Sequence, residues 1–169
     1  MKDNYLIISG TNRNGSNSLK VAQTYSRFLE EQGVESTVIS LEDFNFTSRS
    51  PEFLQFEQKY LLPATKMIFI VPEYNGSFPG ILKLMFDISD YKKVWKYKKA
   101  LLVGISTGRS GNVRGLEHLT SILNYLLVVV HPFKLPISSI HNLISESNEL
   151  EDSATLNTIR GQVRDFIDF

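Results

Sequence analysis

Short apolar runs alternate along this chain with stretches whose apolar residues recur at helical spacing, and that alternation limits the fold more than any other feature. Tyr5-Leu6-Ile7-Ile8 reads as a buried strand ending at Ser9-Gly10. From Asn17 to about Gln32 the residues Leu19, Ala22, Tyr25 and Leu29 mark one face of a helix, and Gly33 stands where a helix C-cap favours glycine. Val34 to Leu41 reads as a second strand and Met67 to Val71 as a third, stopped by Pro72. Pro79 suits a helix start, Ala100 to Ile105 a fourth strand, Val113 to Tyr125 a helix and Leu126 to Val130 a fifth strand. Leu156, Ile159, Val163 and Phe166 form the stripe of a last helix. Residues 42 to 63 show no clear period beyond a short helix near Phe53 to Tyr60. Strands that are apolar throughout, separated by helices, predict an α/β fold: a parallel sheet covered on both faces, in three layers.

The 169 residues suit a single domain spanning 1-169, with no linker, repeat or low-complexity segment to divide it. Cysteine is absent, which removes disulfides, thiolate zinc sites and thiol nucleophiles. Eighteen basic and eighteen acidic side chains cancel, so general electrostatic binding to nucleic acid is not expected. Apolar runs such as Leu126-Leu127-Val128-Val129-Val130 fall far short of a membrane span. The chain opens Met1-Lys2-Asp3-Asn4 directly into a strand-like run, without a signal-peptide pattern, and the expectation is a cytoplasmic protein.

In a doubly wound sheet, ligands bind beyond the C-terminal ends of the strands, so the loops after strands one, three and four carry the function. The first, Ser9-Gly10-Thr11-Asn12-Arg13-Asn14-Gly15-Ser16-Asn17-Ser18, sets hydroxyls, two glycines and an arginine before a helix, as a phosphate site does. Simple capping of the helix by Ser16 or Asn17 is the alternative. Gly10 and Gly15 are not followed by the lysine of a nucleotide-triphosphate loop, and the dinucleotide glycine pattern is absent, which leaves a monophosphate as the economical ligand. The second loop, Pro72-Glu73-Tyr74-Asn75-Gly76-Ser77-Phe78-Pro79-Gly80, joins a rigid entry to an aromatic, an amide and a glycine that lets a flat ligand approach. The third is Ser106-Thr107-Gly108-Arg109-Ser110-Gly111-Asn112.

These three loops together resemble the NADPH-dependent FMN reductases of flavodoxin-like fold, which include azoreductases and quinone or chromate reductases. Gly10 to Ser16 is similar to their Gly-Ser-x-Arg-x-x-Ser phosphate loop. Pro72 to Lys83 is similar to their Pro-Glu-Tyr-Asn-x-Ser-x-Pro-Gly-x-Leu-Lys signature, and Ser106-Thr107-Gly108 with Gly111 to their third loop. The resemblance implies a flavodoxin-like three-layer sandwich with a five-stranded parallel sheet of order 2-1-3-4-5. It implies bound FMN, NADPH or NADH as reductant, and a homodimer or homotetramer with flavin near the subunit interface. Thr11, Arg13, Ser16, Asn17 and Ser18 would hold the phosphate. Pro72, Glu73, Tyr74, Asn75, Gly76 and Ser77 would line the isoalloxazine edge, and Ser106, Thr107, Gly108 and Gly111 would flank the other side. The chain departs from the pattern at Thr11 for serine, Ser18 for asparagine, Leu84-Met85-Phe86 before Asp87, and Asn112 for glycine.

The chemistry so implied is a two-electron reduction. Nicotinamide passes hydride to flavin, and a small-molecule acceptor (a quinone, an azo compound, a flavin or a metal oxyanion) then takes the electrons. No catalytic side chain is assigned, since none offers a convincing general acid; the N–H groups around Asn75 and Gly76 would steady charge on the ring. A flavodoxin-like electron carrier and a catalytically silent flavin-binding scaffold or sensor are the alternative readings. His118, His131 and His141 match no zinc spacing. The run Tyr91 to Lys99 mixes lysines with aromatics as single-strand binders do, but reads better as the solvated end of a helix with Trp95 packed at an edge.

Overall fold

The computed structural model describes residues 3–169; the reading of the chain's start at Met1 and Lys2 lies outside them. Strands β1 (Tyr5–Ser9), β2 (Ser36–Ser40), β3 (Lys66–Pro72) and β4 (Lys99–Ile105) run parallel, in the spatial order β2-β1-β3-β4, with a fifth position beyond β4. The fifth position is shared by two short strands. β5 (Val129–Val130) pairs with Lys99 and Ala100, and β6 (Leu135–Ile137) pairs with Val103 to Ile105. Between them Pro132, which has no N–H to give the ladder, falls in the gap.

The pleat sorts each central strand onto two cores. Leu6 and Ile8, Met67, Phe69 and Val71, and Ala100 and Leu102 face one cluster, with α3 (Gly80–Ile88) and α5 (Val113–Tyr125). Tyr5 and Ile7, Ile68 and Ile70, and Leu101, Val103 and Ile105 face the other, with α1 (Asn17–Glu31) and α6 (Ser153–Asp168). Central strands buried on both faces explain why these runs are apolar throughout rather than alternating.

Three sequence expectations are corrected. Leu126 and Leu127 finish α5, with their N–H groups bonded to Ile122 and Asn124, and Leu127 then turns into the left-handed region at φ 61°. An apolar run cannot by itself separate a helix end from a strand. Trp95 follows the short helix α4 (Tyr91–Val94) and is fully buried rather than at an edge, its ring centre 4.7 Å from that of Phe86. The second strand is shorter than Val34 to Leu41 because its ladder begins only at the pairing of Ser36 with Tyr5.

The segment between β2 and β3 holds α2 (Pro51–Phe56), which widens at Glu57–Leu61 so that Leu62 N–H bonds to Glu57 C=O. Its aromatic residues pack on one another: Phe44 lies within 5.0 to 6.1 Å of Phe46, Phe53 and Phe56. Buried Glu57 accepts two bonds from Arg49 and one from the Asp90 N–H, and Arg49 also donates to Ile88 C=O. That network ties the segment to the end of α3. At the other end of the segment, buried Lys98 donates to the carbonyls of Leu61 and Leu62.

Candidate functional site

Gly10 decides where the first loop lies. Its N–H donates to Ile70 C=O at 2.9 Å, and a β-carbon there would come within 3.1 Å of the same oxygen. The chain then turns through Gly15, at φ 60°, into α1. Ser16 caps that helix, its Oγ accepting from Leu19 N–H, and no acidic residue lies in the first turn. The positive helix end is therefore unopposed.

Beside it, a pocket of about 300 Å³ gathers all three loops. From the first come Thr11, Arg13, Ser16, Asn17 and Ser18, from the second Pro72, Glu73 and Tyr74, and from the third Ser106 and Thr107. Ser18 is 1% exposed and its Oγ has no partner within the described residues. A buried hydroxyl left without a partner is disfavoured, so an acceptor arriving at this helix end would satisfy it.

Tyr74 joins the second loop to the first. Its hydroxyl is 2.5 Å from Thr11 Oγ1, and the Arg13 guanidinium carbon lies 4.2 Å above its ring. Stacking uses the face of the guanidinium and leaves its in-plane N–H groups free for an anion. Glu73 is turned aside, its carboxylate accepting from Ser110 Oγ.

Asn75, Gly76 and Ser77 do not line this pocket. Tyr74 and Ser77 exchange backbone hydrogen bonds around a two-residue turn, with Asn75 at φ 51° and Gly76 at φ 77°. Such a turn requires left-handed backbone at both central positions, which asparagine and glycine tolerate best. Two residues of α5 brace it: Ser77 Oγ is 2.9 Å from His118 Nδ1, and a β-carbon on Gly76 would meet Arg114 at 3.0 Å.

Gly108 and Gly111 also lie outside the pocket. Ser106 Oγ donates to Gly108 C=O and accepts from Gly111 N–H, both at 2.9 Å, which folds the third loop on itself. Gly111, at φ 59°, sits against Pro136 and Ile137, where a β-carbon would approach to 2.6 Å. Asn112 is buried and left-handed at φ 63°, and its Nδ2 donates to Val71 C=O at 3.0 Å. Asparagine thus keeps the backbone form a glycine would take there and adds a strut to β3.

Four further lining residues, Asn14, Gly15, Ile105 and Ile140, were not assigned from the sequence. Asn14 and Gly15 stand inside the first loop, so position alone marks them. Ile140 carries no sequence signal: it follows β6, whose last residue Ile137 accepts from Ser106 N–H, and its own N–H donates to Ser106 C=O. Among the described residues, no group of three or more His, Asp or Glu side chains is arranged to hold a metal.

Residues 4–141 match the family described as NADPH-dependent FMN reductase. The chain is 30% identical over 168 residues to an NAD(P)H-dependent FMN reductase of Pseudomonas aeruginosa, an alignment that covers 93% of this chain and 89% of that one. It is 29% identical over 89 residues to a 2-hydroxy-1,4-benzoquinone reductase of a Burkholderia species, covering 51% of this chain and 49% of the relative. Among solved structures, a flavoenzyme NAD(P)H:(acceptor) oxidoreductase from Paracoccus denitrificans superposes with a TM-score of 0.78 at 21% identity, over 99% of this chain and 96% of that one.

Proposed function

Because this chain belongs to the NADPH-dependent FMN reductase family, we propose that it reduces small organic acceptors, quinones foremost, with electrons from NAD(P)H through FMN held at the three-loop edge. The observation that carries this reading is the unpartnered, buried Ser18 hydroxyl at an α1 N-terminus free of acidic residues, inside a pocket that also holds Arg13. A phosphate monoester fits that donor set: Ser16 and Ser18 hydroxyls, the first N–H groups of α1 and the free edge of Arg13. Bound FMN supplies the two-electron redox chemistry.

The residues of the chain do the rest. Thr11 and Tyr74 join the first and second loops over the phosphate end. Pro72 to Tyr74 line the pocket, and the left-handed Asn75-Gly76 turn with Ser77, just outside it, lets the edge of a flat ring that extends from the pocket approach the backbone closely. The central N–H groups of that turn are not used by its own Tyr74–Ser77 pairing, so they are available to steady negative charge at the ring edge. Ser106 and Thr107 close the far wall, with Gly108 and Gly111 shaping their loop rather than touching the ligand.

Subunit pairing beside the site is part of the same proposal. Helices α3 and α5 flank the second and third loops, and α5 leaves Val113 49% exposed at its start. A compartment supplied with NAD(P)H, the cytoplasm, is where such an activity would run; no described helix is long and apolar enough to cross a membrane. The test is NAD(P)H oxidation by FMN-loaded protein with a benzoquinone as acceptor. Turnover that requires both FMN and quinone supports the proposal, and bound FMN without turnover would leave a binding role only.

A further inference from the structure

Far from this site, at the end of the sheet where the strands begin, large apolar side chains are exposed together. Tyr125, the last residue of α5, is 84% exposed, Tyr97 72% and Tyr91 57%, and Leu127 and Val129 are about half exposed. They are contiguous. Tyr97 N–H donates to Leu127 C=O and Val129 N–H to Lys98 C=O, each at 2.8 Å. Tyr91 and Tyr125, with Leu126 and Leu127, wall a cleft of about 310 Å³ whose remaining lining is Lys92 and Lys96.

Two of these residues are presented by backbone that favours glycine. Tyr97 is at φ 65° and Leu127 at φ 61°, conformations that crowd the β-carbon of a bulky residue. Leucine gives a helix end no advantage over glycine there, yet it directs a half-exposed apolar side chain to the cleft. The charge is one-sided as well. Asp90, the acid of the same segment, accepts from the N–H groups of Lys92 and Lys93 and lies 3.7 Å from Lys93 Nζ. Among the described residues, neither Lys92 nor Lys96 is in an ion pair; their ammonium groups lie over the rings of Tyr91 and Tyr97.

We propose that this cleft docks an acidic segment of a partner protein, which seats an apolar side chain between Tyr91 and Tyr125 and sets carboxylates against Lys92 and Lys96. Tyrosines walling a concave site under a charged rim match the anchor-and-rim arrangement of protein interfaces. A second copy brought up on a twofold axis would set the same lysines against one another. An anionic bilayer suits projecting apolar wedges better than a cleft, and a chain of zero net charge has no wider attraction to lipid.

The experiment follows the fluorescence anisotropy of a labelled short peptide, glutamates interrupted by one leucine and one phenylalanine, as the full chain is titrated in at low ionic strength. Saturable binding is expected, absent for the same peptide with lysines in place of glutamates. It should weaken about tenfold or more in the double variant Lys92→Glu/Lys96→Glu and in Tyr125→Ser, and with added salt. Unchanged circular dichroism and FMN affinity in these variants would show that the fold is intact. No saturable binding, or binding that neither variant weakens, overturns the proposal. Phosphatidylserine vesicles that bind through Tyr125 without the peptide doing so overturn it in favour of a membrane, and self-association lost in Tyr125→Ser does so in favour of a second copy.

Discussion

The Tyr74 hydroxyl and Thr11 Oγ1 lie 2.5 Å apart, so the loop after β3 is hydrogen-bonded to the loop after β1 across the mouth of the pocket. Tyr74→Phe removes that bond but keeps the ring under Arg13. FMN affinity, measured by quenching of flavin fluorescence, should fall roughly fivefold, the worth of about 1 kcal/mol for one neutral hydrogen bond. Arg13→Ala should lower it about a hundredfold, because a charge-assisted bond and the stack are lost together. Equal losses in the two variants would contradict the division of labour between these residues.

Gly15 and Gly111 are both left-handed, at φ 60° and 59°, but their surroundings differ. A β-carbon on Gly15 meets nothing within 4 Å, whereas on Gly111 it would meet Pro136 at 2.6 Å and Ile137 N at 2.8 Å. Gly15→Ala should therefore destabilise by about 1 kcal/mol, the strain alone. Gly111→Ala should destabilise by about 3 kcal/mol or more, because β6 must move as well. Urea midpoints of the two variants check the order.

Arg49→Met should destabilise by about 3 kcal/mol at neutral pH, since it strips a buried carboxylate of its cation. Burial raises the Glu57 carboxyl, but the bonds from Arg49 and from Asp90 N–H outweigh it and hold the group below its ordinary 4.5. A folded pKa below the unfolded one contributes stability above the unfolded value, and that stability is lost as pH falls through the folded one. The deficit of the variant should shrink as pH is lowered through the carboxylate range, because its buried, unpaired Glu57 takes up a proton before the paired one does. A deficit independent of pH would contradict the pairing.

Lys98 gives the opposite slope. Burial lowers its ammonium from 10.5 to about 8, although Leu61 and Leu62 carbonyls accept from it. Below about pH 8 the folded state carries a buried charge; between there and the unfolded value the unfolded chain binds more protons, so stability rises with pH. From pH 7.5 to 9.5 this group should add about 2 kcal/mol, and Lys98→Met should remove that increment. Urea midpoints at the two pH values provide the check.

Most of the frame was legible because it rests on local pattern. Apart from Ser9, Lys66 and Lys99 at their ends, β1, β3 and β4 are apolar since both faces are covered, and Gly10, Pro72 and Ser106 punctuate their C-terminal ends. What was not legible depends on contacts distant in sequence. The run Leu126 to Val130 holds a helix end, a left-handed residue and a two-residue strand, and only the Lys98 and Lys99 partners fix where the strand begins. The sequence suggests Trp95 packed at an edge rather than fully buried, because nothing local places Phe86 beside it. The pocket shows the same division. The first loop's place in the pocket was legible from its composition and its position after β1, whereas Ile140 enters only because β6 pairs with β4 and the chain beyond it bonds to Ser106.

The most direct measurement compares the affinities of FMN and riboflavin for the apoprotein by equilibrium fluorescence titration. The two ligands share the ring and differ at the terminal phosphate, the group assigned to Arg13, Ser16, Ser18 and the α1 N-terminus. FMN should bind with one-to-one stoichiometry and about a hundredfold more tightly than riboflavin, and the advantage should collapse in Arg13→Ala. Equal affinities for the two flavins would show that the first loop does not hold a phosphate.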